Sequence, residues 1–335
     1  MSHERIGSRL SWTLNDLDAL PAMPEIAHRL LALQLDTEEG ETQMLCLIEQ
    51  DPQLSARIIG LANSSATGVK HGINSIRDAA LLLGLKRLKS VAIGMATLSK
   101  LAKQPTTKNF DPHDLWSHSI TVAIVMNLLA QAMPEATRPD ENQTFLAGLL
   151  HDIGLMALYH LDHEASDELH HQLRIQPKRS IGEIETELFG ITHSHIGAQL
   201  VRHWNLPAEI IEVVALHHAP RSENNASPAV LAKMVNIAER LLPDFGIAEH
   251  PDHTISDDDW REIGIDPARS NELAALANEV AMQVIQLPDS HAKPHGTPGA
   301  AARHAIHPLV DAARYSSVLA PAKALAGWVR KILRW

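Results

Sequence analysis

The residues best equipped for chemistry lie inside the most apolar stretch of the chain. Phe145 to Leu158 reads FLAGLLHDIGLMAL, apolar on every side, and a helix of that character belongs in a core. His151 and Asp152 stand side by side at its centre. Burying an unpaired carboxylate costs several kcal/mol or forces it to neutralise, so the pair must have partners. Alone, the dipeptide is most simply a His–Asp hydrogen bond that fixes core geometry. A sharper reading is a metal site. Gly154 lowers helix stability and suits close packing at that point.

Helical periodicity selects the other histidines that face inward. His118 shares a stripe with Val122, Val125 and Leu129, and His193 with Gly197, Leu200 and Trp204. His217 follows Ile210 and Val214, while His218 continues Ile211 and Val214. His195 falls instead with Gln199 and Arg202 on a polar face. One or two such histidines would be ordinary hydrogen-bonded core residues, and His217 and His218 also end a helix, where a cationic imidazole is favoured anyway. Five histidines from four helices, beside one buried carboxylate, are more economically explained as a cluster. Imidazole is the commonest metal ligand, and imidazole with carboxylate suits Fe, Mn, Ni or Zn. His151 and Asp152, about 100° apart on a continuous helix, can share an ion only at a contact between helices.

The elements that must position these residues are all helical. Pro24 starts a helix with Ile26, Leu30 and Leu33 inward, and the next holds Met44, Leu45, Leu47 and Ile48. Asp51-Pro52 caps a helix that stops at Asn63-Ser64-Ser65, and Ser75 to Asp78 has capping-box spacing. Gly84 separates that helix from one over Leu85 to Leu101. Asp111-Pro112 opens a long helix to about Met133. Further helices are expected over Ile181–Leu188, His193–Trp204, Pro207–His218 and Pro228–Leu242, with two more in Asp259–Leu287. Residues 161–180 are polar and rich in His and Glu, and read as exposed. No stretch alternates as a strand does.

The chain has 335 residues, 45% hydrophobic and 21% charged, as expected of a globular protein with two or three domains. A net charge of −11 argues against a broad nucleic-acid footprint. The single cysteine, Cys46, falls in an apolar helical pattern and reads as a core thiol. One cysteine allows no internal disulfide, which fits a reducing cytoplasm. MSHERIGSRL lacks the apolar run of a signal peptide, and no segment approaches the ~18 consecutive apolar residues of a membrane span.

At this level of detail the chain resembles a known family. His118, His151-Asp152, His193 and His217-His218 follow the order of the HD-domain metal-dependent phosphohydrolases. The fuller resemblance is to HDOD, the HD-related output domain of bacterial signalling. It is carried by LPAMPEIAHRL, IEQDPQLSARIIGLANSS, SIRDAALLLGLKRL, FLAGLLHDIG and ELFGITHSHIGAQLVRHWNLP, and covers about residues 15–245. The resemblance implies an all-α fold and a cytoplasmic regulatory role, in a family generally regarded as non-catalytic. It also implies a division into an N-terminal helical module (1–108) and an HD-like domain (109–245). A C-terminal helical extension (246–287) and a flexible linker with a tail helix (288–335) follow.

The chain departs from both patterns. Where HD phosphohydrolases place an Asp, VNIAERL has Glu239. Where cyclic-dinucleotide phosphodiesterases carry Lys after HDIG, Leu155 stands, and their GYP signature is replaced by Ala219-Pro220-Arg221. Two functions follow. In the first, the chain is a signalling output module that acts through regulatory protein partners and keeps a metal-binding HD-type site. The basic residues Arg77, Lys86, Arg87 and Lys89 of its N-terminal module are then the candidate partner surface. In the second, it is a metal-dependent phosphohydrolase acting on a nucleotide. His118, His151, Asp152 and Glu239 would hold one metal, and His193, His217 and His218 another. The tail (Trp328, Val329, Ile332, Leu333 and Trp335 beside Lys323, Arg330, Lys331 and Arg334) reads as a basic amphipathic helix. It either docks on an anionic membrane or a partner groove, or packs on its own core.

Overall fold

Local capping chemistry places the helix starts. Asp51 Oδ1 accepts the amides of Gln53 and Leu54, each at 3.0 Å, ahead of Pro52. Asp111 accepts the His113 amide at 2.8 Å ahead of Pro112. Ser75 Oγ accepts the Asp78 amide at 3.0 Å. Ser180 and Glu183 close a reciprocal capping box. The computed structural model describes residues 21–63, 73–102, 107–218, 230–243 and 250–285. No strand occurs among them.

The N-terminal helices are α1 (Glu25–Ala32), α2 (Glu38–Glu49), α3 (Pro52–Asn63), α4 (Ile76–Leu83) and α5 (Leu85–Leu101). The rest are α6 (Pro112–Ala132), α7 (Glu141–Leu150), α8 (Ile153–Leu161), α9 (His163–Ile175), α10 (Ile181–Phe189), α11 (His193–His203), α12 (Ala208–Leu216), α13 (Val230–Leu241), α14 (Asp257–Glu262) and α15 (Ser270–Ile285). The centre is α6, buried from His118 to Ala130, with α7 along one side and α13 and α15 against others. Helix α11 bridges α8 and α12, and α5 joins the N-terminal helices to α7 and α8. Two apolar runs, Pro112–Ala132 and Gln143–Leu161, are long enough by composition to cross a membrane, but 78% and 89% of their apolar windows are buried within the fold.

Three sequence expectations change. Residues 161–180 are not an exposed polar stretch: α9 buries Ala165, Leu169, His170 and Leu173 on one face. Cys46 is exposed, because Met44, Leu45, Leu47 and Ile48 occupy the inward face of α2. The basic residues of α5 point to internal partners. Lys89 Nζ donates to the carbonyls of Leu31 (3.2 Å) and Leu33 (2.6 Å), which end α1. Lys86 pairs with Asp140 at 3.4 Å and Arg87 with Glu141 at 2.6 Å, fastening α5 to the start of α7. From the far side, Trp204 Nε1 donates to Pro21 O at 2.7 Å, tying the PAMP segment to the end of α11. The linker and tail helix of 288–335 lie outside the described residues.

Candidate metal centre

The apolar run read as one helix is broken at its two polar residues. Helix α7 ends at Leu150, α8 begins at Ile153, and His151 and Asp152 occupy the turn between them. Asp152 has φ −99° and ψ 18°, in the bridge region where many active-site residues sit. The break turns both side chains the same way, so His151 Nε2 lies 3.1 Å from Asp152 Oδ2 instead of a third of a turn away. Two glycines bring the facing helix in. A methyl on Gly154 would overlap the His193 carbonyl oxygen, and one on Gly197 would lie 3.0 Å from Gly154 N and 2.7 Å from Val214 Cγ1. Helices α8 and α11 therefore touch backbone to backbone, and this contact carries His193 to Asp152.

The centre is organised around the two oxygens of Asp152. Oδ2 faces His151 Nε2 (3.1 Å) and His118 Nε2 (3.5 Å). Oδ1 faces His193 Nε2 (3.4 Å) and His217 Nε2 (3.3 Å). Glu239 adds Oε1 at 3.1 Å from His151 Nε2, and His218 lies beside His217 with ring centroids 4.2 Å apart. His151, Asp152, His193, His217 and Glu239 are all buried; His218 is partly open. Despite these approaches, neither Asp152 oxygen nor Glu239 Oε1 has an aligned hydrogen-bond partner. Groups that converge without being aimed at one another are arranged around a shared point between them.

Three of these imidazoles have their tautomer fixed from behind. His151 Nδ1 donates to Gly148 O at 2.7 Å, and His217 Nδ1 to Val214 O at 3.1 Å. His193 Nδ1 donates to Glu185 at 2.8 and 2.9 Å, and Glu185 also accepts the His193 backbone amide at 3.0 Å. With Nδ1–H occupied, each Nε2 lone pair faces the centre, the arrangement that accompanies metal-ligating histidines. Nε2 of His118 lies 3.2 Å from that of His151, and Nε2 of His193 lies 3.2 Å from that of His217. Two lone pairs at that distance repel unless a proton or cation lies between them. Metal–nitrogen bonds of about 2.0–2.1 Å put neighbouring donors about 2.8–3.4 Å apart in octahedral or tetrahedral geometry. The observed spacings match that range, so the residues fit a divalent metal. Two four-residue sets result, His118/His151/Asp152/Glu239 and Asp152/His193/His217/His218, with Asp152 common to both.

The electrostatics agree. Burial would lower the pKa of His151, but Asp152 and Glu239 outweigh it and raise it to about 10. At His193 burial is likewise overcome, by Glu185 and Asp152, and the pKa rises to about 10. Burial dominates at His118 and lowers it to about 4. Burial raises the pKa values of Asp152 and Glu239, yet the histidine charges hold both carboxylates well below their usual range. The raised pKa values of His151 and His193 favour protons opposite the carboxylates, and a divalent ion bound there would displace them.

Sequence reading missed two residues of this neighbourhood. Glu185 was detectable, because it sits one turn after Ile181 and beside Ile184 on the inward face of α10. His250 carries no helical periodicity, yet its Nε2 lies 2.8 Å from Glu239 Oε2. His195 is exposed, and its Nδ1 pairs with Thr192 Oγ1 at 2.8 Å, away from the centre.

The HDOD domain model matches residues 20–220, more than half of the chain. The chain belongs to the HDOD family. Among solved structures it is similar to an HDOD domain protein from Geobacter sulfurreducens, with 26% identity, TM-score 0.61, and 82% of this chain and 98% of that one covered. It is also similar to a protein assigned to signal transduction from Marinobacter aquaeolei VT8, with 24% identity, TM-score 0.65, and coverage of 82% and 65%. A curated relative, an uncharacterised protein of Treponema pallidum (strain Nichols), is 24% identical over 232 residues. The chain spans 44% of that relative's length, and the match takes in 67% of this HDOD chain. The HDOD match ends before Glu239 and His250.

Proposed function

We propose that this HDOD protein is a signal-transduction output module built around a buried two-metal centre of HD type, and that it acts through protein partners. One observation carries the reading: a single buried carboxylate, Asp152, presents each oxygen to a separate histidine pair, and neither oxygen is otherwise satisfied. A structural network would satisfy those atoms. His118, His151, Asp152 and Glu239 would hold one ion; Asp152, His193, His217 and His218 the other. Fe, Mn, Ni and Zn all suit this mixed donor set.

The same bridging geometry favours metal-dependent phosphoester hydrolysis of a nucleotide as a second reading. Bound metal would supply Lewis-acid chemistry toward a phosphoryl group. In that reading Asp152 and Glu239 set the charge of the centre, and His218, at its open edge, faces the incoming substrate. Against hydrolysis stands Leu155: it is fully buried in α8, so the position that carries a lysine in the phosphodiesterases cannot reach a phosphate here. Signalling is therefore the preferred function.

Elemental analysis of the purified chain beside a phosphodiester turnover assay separates the readings. Bound metal without turnover supports the signalling module, and turnover that vanishes in Asp152→Ala supports the hydrolase. Protein that purifies metal-free and melts identically with chelator or added Mn, Fe, Ni or Zn would eliminate the centre.

A further inference from the structure

The carboxylate of Glu239 faces two ways. Oε1 lies 3.1 Å from His151 Nε2 in the buried centre. Oε2 points outward, 2.8 Å from His250 Nε2 and 4.0 Å from His218 Nδ1. The rings of His218 and His250 are 5.0 Å apart, and one ligand atom from each of the three residues falls within 4.8 Å of the others. Exposure distinguishes this group from the buried sets. The side chains of His218 and His250 are 19% and 15% exposed, against 2% for Glu239.

His250 is held in place by the chain around it. Arg240 Nη1 donates to Thr254 O at 2.7 Å and pairs with Asp259 at 3.3 Å, while His253 Nδ1 donates to Arg240 O at 3.1 Å. The segment carrying His250 is thus pinned to α13, the helix that supplies Glu239.

We propose that His218, Glu239 and His250 form a third cation subsite, outward-facing and exchangeable, for a divalent ion such as Zn²⁺. Two imidazoles and a carboxylate are a donor set that zinc accepts, and three protein ligands at an open edge leave a coordination position to solvent. The inner set keeps three donors, Asp152, His193 and His217, when His218 serves the outer one. Occupancy of the outer subsite then follows free metal concentration, while the buried ions are retained. The inference shares Glu239 with the buried centre and so rests on that reading.

The test is Zn²⁺ binding to the full chain, by elemental analysis after desalting and by competition with a chromogenic chelator. The expected result is three zinc ions per chain, the weakest readily stripped. His250→Gln keeps a hydrogen bond to Glu239 but removes the ligand, and should lower the affinity of the weakest site at least about tenfold while the two tight ions stay. Asp252→Asn, a neighbour on the same segment whose side chain still accepts the Thr254 amide, should keep all three. Equal stoichiometry and affinity in wild type and His250→Gln would overturn the third subsite and leave the buried centre standing. Loss of the weak ion in both variants would also overturn it, since segment displacement and not ligation would be the cause. A full chain that takes up no zinc would sink the subsite and the buried centre together.

Discussion

Among the described residues buried histidines occur in two places, and their ring nitrogens face different surroundings. In the centre, His151 and His193 face carboxylates and have pKa values raised to about 10. On α9, His170 is 2% exposed, its ring packs on Phe110 with centroids 4.4 Å apart, and its Nδ1 donates to Ser166 O at 2.7 Å. Burial, with the Arg174 charge beside it and only partly offset by Asp167, lowers its pKa to about 4. The Nε2 of His170 is buried and has no hydrogen-bond partner. Residue type and burial are shared; the difference is what faces Nε2. The Nε2 of His170 shares no focus with other donors, whereas each ligand histidine of the centre points its Nε2 at a carboxylate that other imidazoles also face.

The largest effect should come from removing the charge at that focus. Asp152→Ala should abolish the response of the melting temperature to chelator and added metal. At metal a hundred to a thousand times Kd, wild type should gain about 2.7–4.1 kcal/mol that the variant does not. Because capture displaces protons from His151 and His193, wild-type affinity should rise with pH through the neutral range. A variant with the wild-type response to Mn or Zn would reduce the centre to a second His170.

His170 itself tests the other half of the comparison through pH. Its folded pKa of about 4 lies below the unfolded value of 6.5, so between these limits the unfolded chain binds the proton and the folded chain does not. Above pH 6.5 the residue costs nothing by this route. As pH falls toward 4, stability is lost, by up to about 3 kcal/mol. His170→Leu should match or slightly exceed wild type at pH 7.5 and lead it by a growing margin down to pH 4.5, in denaturant titrations. Parallel decline of the two proteins would mean that the ring is not held neutral.

Positioning gives a smaller effect. Glu185→Gln preserves shape and can still accept from His193 Nδ1, but it withdraws the buried charge behind that ring. Metal affinity should fall about 10–100-fold with little change in metal-free melting, as measured by chelator competition. Unchanged affinity would mark Glu185 as a support for the α10–α11 turn alone.

Apart from His151, which its apolar context marked, the histidines of the centre were legible because helical period declares the inward face of the elements that carry or lead into them. His118 repeats with Val122 and Val125 on α6, and His193 with Leu200 on α11. Glu239 came from resemblance, since a single Glu in a mixed helix has no periodic signature of function. What period could not reveal was where it stops. The break at His151 and Asp152 contains no proline and lies within an apolar run, so the packing of Gly154 against His193 and Gly197 is what shows why the chain turns. Helix α9 was hidden because His and Glu surround its short stripe of Ala165, Leu169 and Leu173. His250 sits on a segment with no period at all, placed by Arg240 and its partners.

The smallest effect separates two histidines on one helix. His193 and His195 are two residues apart on α11, about 200° around the axis, so one faces Asp152 and the other faces solvent. Thr192 caps this helix by accepting the His195 backbone amide, a bond that survives loss of the imidazole. His195→Ala should therefore change stability by no more than about 0.5 kcal/mol and leave metal content and affinity as in wild type. His193→Ala should lose the metal response as Asp152→Ala does. If the two alanine variants behaved alike, the inward stripe of α11 would not be what selects the ligands, and the contrast between facing and non-facing histidines would fail at its most local point.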